Sequence, residues 1–99
     1  MQFTVDRNTG QIAMSGEFTF PDVDPFKQMI MELVQKKGAA ITLDLSKLEF
    51  IDSSGLGMLL LARGEVQKNE CELILAHPVG QVKRMFSLAK FNKLFTVSE

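Results

Sequence analysis

Cysteine is nearly absent from this chain: Cys71 is the only one in 99 residues. That excludes an internal disulfide, and a thiol inside an apolar run reads as a buried group in a reducing compartment. Histidine is equally scarce. One His and one Cys cannot supply the ligand set of an ordinary zinc site, so no metal or other cofactor is expected. The formal net charge is only −1, which gives no basic face for nucleic acid and no reason to expect an anionic membrane surface as partner. The longest apolar stretch, Leu56 to Ala62, is interrupted by Gly57 and is far too short to insert across a bilayer. No charged-then-apolar leader precedes the first strand-like segment, so no secretory signal is expected. The phosphate-cradling Gly-x-x-x-x-Gly-Lys motif is missing as well.

What is present suits one soluble, cytoplasmic domain. The 45% apolar content is ordinary for a globular chain with a single core. Gln2 to Val5 predicts a strand, Arg7-Asn8-Thr9-Gly10 a turn, and Gln11 to Ser15 a return strand carrying Ile12 and Met14. Gly16 to Asp24 predicts a loop in which Asp22 or Asp24 caps a helix, with Pro25 at its first position. Phe26, Met29, Ile30, Leu33 and Val34 recur at helical spacing. Lys36 and Lys37 then fill a last turn, and Gly38 closes it. Ala40 to Leu45 alternates as a strand. A second helix is expected from about Ser54 to Lys68, with Leu56, Leu59 and Leu60 inward and Met58 and Leu61 toward solvent. Glu70 to Ala76 predicts an interior strand, apolar on both faces, with Cys71, Leu73 and Leu75 on one of them. His77-Pro78 ends it. A third helix from Val79 to Ala89 buries Val82, Met85 and Phe86, and Phe95 to Val97 makes a last short strand. The order β-β-α-β-α-β-α-β implies an α/β fold, a small mixed sheet with helices on one side.

The strongest signal runs from Leu43 to Gly57. Alternating apolar residues give way to Ser53, Ser54, Gly55 and Gly57 and then to a helix-like pattern. Ser53 or Ser54 then stands at the mouth of a helix, whose first N–H groups lack partners and favour negative charge. The hydroxyl is either an N-cap or the carrier of a phosphate. A phosphate would add about −1.5 to −2 charges to a partner-binding surface without unfolding the domain. Asp44 and Asp52 flank the pair, either orienting Ser53 or making turn hydrogen bonds. Gly55 and Gly57 are poor helix formers in a first turn. Either a partner or another backbone approaches them closely, or they pack tightly against the sheet. A flexible Met58 beside the serines, with Leu61, would suit a docking surface. Catalysis is poorly supported: Ser53 lacks the Gly-x-Ser-x-Gly elbow, and the lone His77 precedes Pro78 on a different strand end. Lys83, Arg84, Lys90 and Lys93 read as a solvated face of the third helix and its exit.

Three segments occur together and in order: Ile41-Thr42-Leu43-Asp44-Leu45-Ser46, Phe50-Ile51-Asp52-Ser53-Ser54-Gly55-Leu56-Gly57, and Val82-Lys83-Arg84-Met85-Phe86. The combination resembles the STAS domain family, the sulfate-transporter and anti-sigma-factor-antagonist fold, and covers essentially the whole of residues 1–99. The likeness is greatest to the free-standing bacterial anti-anti-sigma factors. It implies that Ser53, the first hydroxyl after the aspartate, is phosphorylated by a dedicated serine protein kinase that is also the anti-sigma factor, and reset by a metal-dependent serine phosphatase. The protein would be substrate and not catalyst. Many members carry Gly-Glu-Leu-Asp after the second strand. Here the run is Gly16-Glu17-Phe18-Thr19, so that aspartate is absent; Asp22 or Asp24 is the candidate replacement near the switch, and Thr19 and Asp22 are candidate partner-binding residues. The family often adds a fourth helix. The chain stops at Glu99, so that helix is not expected here and a sheet face or edge is left open to a partner or a homodimer. The alternative is a constitutive docking subunit of a larger assembly, such as a lipid-transport ABC complex, with the serine only a cap. A third reading is direct nucleotide binding by the loop after Gly16.

Overall fold

The computed structural model describes residues 1–6 and 8–98. Arg7 of the expected turn and the terminal Glu99 lie outside the described residues. The elements follow the expected order: β1 (Gln2–Asp6), β2 (Gln11–Phe18), α1 (Val23–Leu33), β3 (Ala40–Ile51), α2 (Ser53–Lys68), β4 (Glu72–Ala76), α3 (Gly80–Leu88) and β5 (Thr96–Ser98). Short 3-10 turns at Phe20–Asp22 and Phe91–Lys93 complete it. The sheet order is β1-β2-β3-β4-β5, with β1 and β2 antiparallel and the remaining neighbours parallel.

Side-chain alternation decides which face is covered. Ile12 and Met14 of β2, Ile41, Leu43 and Leu45 of β3, and Leu73 and Leu75 of β4 are buried in one core with Phe26, Ile30, Leu59 and Val82 of the helices. Ala13, Thr42, Asp44 and Ile74, which alternate with them, stay exposed or half-buried. β4 thus turns Leu73 and Leu75 to the helices, while its other face runs from exposed Glu72 through half-buried Ile74 to buried Ala76. Cys71 precedes β4 instead of belonging to it, and is half-buried with its Sγ 3.3 Å from the Lys36 carbonyl oxygen. Phe86 stacks on Phe91 with centroids 5.0 Å apart, and Phe95 packs tilted against Phe91 at 4.9 Å.

β3 is twice as long as its alternating part. It gains one residue on β2 between the pairs Ala13↔Asp44 and Ser15↔Lys47, and another between Gly16↔Leu48 and Glu17↔Phe50. These bulges re-aim the strand, so the buried positions Leu45, Leu48 and Ile51 recur every third residue. β2 likewise runs on to Phe18, so Gly16 is a strand residue and the loop begins at Thr19, not at Gly16. Gly10 anchors the start of the sheet. It has φ +72°, its carbonyl accepts from Thr42 N–H at 2.9 Å, and a Cβ there would collide with the Ala40 carbonyl oxygen.

α1 starts at Val23, ahead of Pro25, and stops at Leu33. Pro25 sits third in the helix, where its missing N–H would be unpaired anyway. Lys36 and Lys37 lie in turns beyond the helix, not in its last turn. Among the described residues no helix is long and apolar enough to cross a membrane.

Candidate functional site

β3 delivers Ile51, Asp52 and Ser53 to the mouth of α2. Asp52 is the N-cap: its backbone is extended, its carboxylate accepts from Gly55 N–H at 2.9 Å, and its carbonyl accepts from Leu56 N–H at 3.0 Å. The expectation that Ser53 or Ser54 caps the helix is thus corrected. A carboxylate one residue earlier does so, because a cap must be extended while both serines already have helical backbone. Ser53 is the first helical residue and is exposed; Ser54 is half-buried. The Ser53 hydroxyl is consequently not needed by the helix. Asp52→Ala is expected to cost about 1 kcal/mol of stability, which lowers the melting temperature by roughly 4–8 °C in a domain of this size. Thermal unfolding followed by circular dichroism measures it, while Ser53→Ala should leave the transition where it is.

The two glycines after the serines part ways. A Cβ on Gly55 would stand 2.7 Å from Ile51 Cγ1 and 2.8 Å from the Phe18 carbonyl oxygen, so that residue packs against the sheet. A Cβ on Gly57 would meet nothing within 4 Å. The buried residues of α2 are Gly55, Met58, Leu59, Ala62 and Val66. Met58, expected toward solvent, is therefore in the core, and Leu60, expected inward, is 43% exposed. In a run of nothing but apolar residues periodicity cannot fix the phase. The contact at Gly55 does, and it turns the helix by about one residue. Leu61 faces solvent as expected, at 64% exposure. Ser53, Gly57, Leu60, Leu61 and Gly64 fall at helical spacing on one outward face. Phe20, at 74% exposure, lies in the turn that leads from β2 to α1.

The other candidates are placed less centrally. Asp44 is not beside the serines: it pairs with Ala13 and Ala76 in the middle of the sheet, on the order of 20 Å along β3 from Asp52. Its carboxylate accepts from Ser46 N–H at 3.1 Å, and that bond holds its pKa below the usual value. Thr19 and Asp22 form a closed unit. Asp22 Oδ2 accepts from Thr19 N–H at 2.9 Å, and Oδ1 accepts from the Met1 ammonium at 3.1 Å. Burial pushes the Asp22 carboxyl up, but these bonds outweigh it and the net pKa is lowered. Asp24 is exposed in the first turn of α1. Among the described residues no group of His, Cys, Asp or Glu could hold a metal ion.

One contributor is invisible to local patterning. Gln81, on α3, bonds both backbone groups of Ile51, two residues before Ser53. The contact spans 30 positions, and a glutamine near a helix start carries no signal of it.

A mixed five-stranded sheet with helices on one face, presenting an uncommitted serine at the start of its second helix, defines a class of small α/β domain. The chain belongs to the STAS domain family, whose model matches residues 1–99. It is 25% identical over 100 residues to BtrV of Bordetella bronchiseptica, a protein whose name places it with the anti-sigma factor antagonists; the match covers 99% of this chain and 86% of that one. It is 30% identical over 87 residues to a STAS-domain containing protein of Pseudomonas aeruginosa, covering 88% of this chain and 85% of the relative. Among solved structures it superposes on the anti-sigma factor antagonist SpoIIAA in its unphosphorylated form with a TM-score of 0.82 at 22% identity, covering 99% and 89% of the two chains. A Thermotoga maritima protein described as an anti-sigma factor antagonist gives 0.79 at 20% identity, with 99% and 85% covered. At those identities the structural likeness establishes the fold.

Proposed function

We propose that this chain is an anti-sigma factor antagonist that works by partner switching, with Ser53 as its phosphorylation site. One observation carries the reading: Ser53 is exposed on the first turn of α2 and free of the capping role, which Asp52 fills. The names of relatives such as BtrV and SpoIIAA supply the biological class. Unmodified, the protein binds an anti-sigma factor that is also a serine protein kinase, through the outward face of α2 that bears Gly57, Leu60 and Leu61. The kinase moves the γ-phosphoryl group of ATP onto Ser53 Oγ, the hydroxyl proton leaves, and ADP is released. The complex then dissociates, and a metal-dependent serine phosphatase restores the hydroxyl. The fold survives because the helix N-terminus offsets part of the new charge. The protein is the substrate in this cycle, not the catalyst.

Residue-resolved mass spectrometry of the protein from its native cells tests the reading. Phosphate on Ser53, lost on phosphatase treatment, is the expected result. An unmodified Ser53 under growth, starvation and stress would leave a permanent docking module as the better reading.

A further inference from the structure

β4 leaves β3 early. Its last partner on β3 is Asp44, opposite Ala76, while β3 continues beside β2 as far as Ile51. The second half of β3 therefore has an edge without a strand, and backbone groups there need other partners. At Ile51 a single side chain takes both of them. Gln81 Oε1 accepts from Ile51 N–H at 2.9 Å, and Gln81 Nε2 donates to the Ile51 carbonyl oxygen at 2.9 Å. The half-buried Gln81 thus imitates one residue of a neighbouring strand. On the opposite edge Asp52 N–H reaches the Phe18 carbonyl oxygen at 3.2 Å. Asp52 then caps α2 through Gly55 N–H. Ser53 follows a dipeptide gripped from both sides and precedes a capped turn.

We propose that Gln81 is a positioning residue for Ser53. Through Ile51 it fixes the backbone that carries the hydroxyl, so the modifying enzyme meets Ser53 in one orientation. A side-chain amide of this length offers one acceptor and one donor at once, matching the N–H and the carbonyl of a single residue. The proposal rests on the switch reading of Ser53, and its test separates the two. It also makes α3, which contributes no switch residue, part of the switch.

Amide hydrogen exchange reads the clamp directly. In Gln81→Met, similar in length but without the amide, protection of the Ile51 amide is expected to fall about tenfold or more, with faster exchange from Asp52 to Gly55. Core amides such as Leu43 and Leu75 should stay protected. Gln81→Glu supplies a signature that packing alone would not. At neutral pH its carboxylate still accepts from Ile51 N–H but turns a second acceptor on the Ile51 carbonyl. Once protonated it donates there again, so the protection factors should recover between about pH 7 and pH 4.

Extract of the native cells with isotopically labelled ATP reads the consequence. Gln81→Met should gain phosphate on Ser53 about tenfold more slowly than the unaltered protein, since small misplacements of a reacting group are costly. Equal labelling of both proteins would overturn the role of Gln81 and leave the switch standing. No labelling of the unaltered protein at Ser53 would overturn the switch itself, and this role with it. Unchanged exchange at Ile51 in Gln81→Met would remove the clamp whatever the labelling shows.

Discussion

If Ser53 is the proposed switch, Ser53→Ala is expected to hold the proposed kinase partner persistently, and Ser53→Asp to bind it about a hundredfold more weakly or worse, a difference of roughly 3 kcal/mol. Ser53 is exposed, and the cap of α2 is the Asp52 carboxylate, so neither change disturbs the helix. A negative charge on the first turn is even favoured by the helix dipole, by about 0.3–1 kcal/mol. Both variants should therefore unfold at or slightly above the temperature of the unaltered protein. The whole effect is expected on the proposed docking face, where Gly57, Leu60 and Leu61 lie in line with Ser53. A charge that must lose water as this apolar face is covered is costly unless the partner supplies a cation. Phosphate, with about −1.5 to −2 charges, should act more strongly than aspartate. Calorimetric titration of each variant with a copurified partner measures the difference. Equal affinities, with the folds intact, would remove Ser53 from the control of binding.

How far the sequence discloses this arrangement depends on whether the informative contacts are local. The stripe from Phe26 to Val34 and the alternation from Ile41 to Leu45 are short-range patterns, and both identify their elements. Phe26, Ile30, Ile41, Leu43 and Leu45 are all in the core. The serine at the head of α2 is legible for the same reason: a strand pattern changes to a helix pattern at that point. What stays hidden is set by register and by distant partners. Two bulges change the spacing of Leu45, Leu48 and Ile51, so the second half of β3 does not read as a strand. The phase of α2 is decided by Gly55 against Ile51 and Phe18, so Met58 and Leu60 exchange their expected places. The cap is one residue earlier than a preference for serine suggests, because Asp52 is the last residue with extended backbone. Gln81 reaches Ile51 only after three further elements have folded back onto the sheet.

The same contact at Gly55 leads to the largest expected loss of stability. Gly55→Ala should be destabilised by about 2–3 kcal/mol, although alanine is the better helix former by about 1 kcal/mol. The new methyl group would lie 2.7 Å from Ile51 Cγ1 and 2.8 Å from the Phe18 carbonyl oxygen. Neither neighbour yields cheaply. Ile51 is wholly buried at the end of β3, and the Phe18 oxygen accepts the Asp52 N–H that ties β2 to the turn before α2. Moving α2 outward to make room would strain the Gly55 N–H bond to the Asp52 carboxylate as well. A lost backbone hydrogen bond adds about 1 kcal/mol to the strain of overpacking. Gly57→Ala separates this account from a general effect of substitution in the first turn. Its methyl group meets nothing within 4 Å, so only the helix preference remains, and that variant should gain up to about 1 kcal/mol. Urea unfolding of the two variants gives opposite signs if Gly55 is a packing glycine. A Gly55→Ala protein as stable as the unaltered one would mean that α2 is free to shift on the sheet, and the fixed presentation of Ser53 would lose its basis.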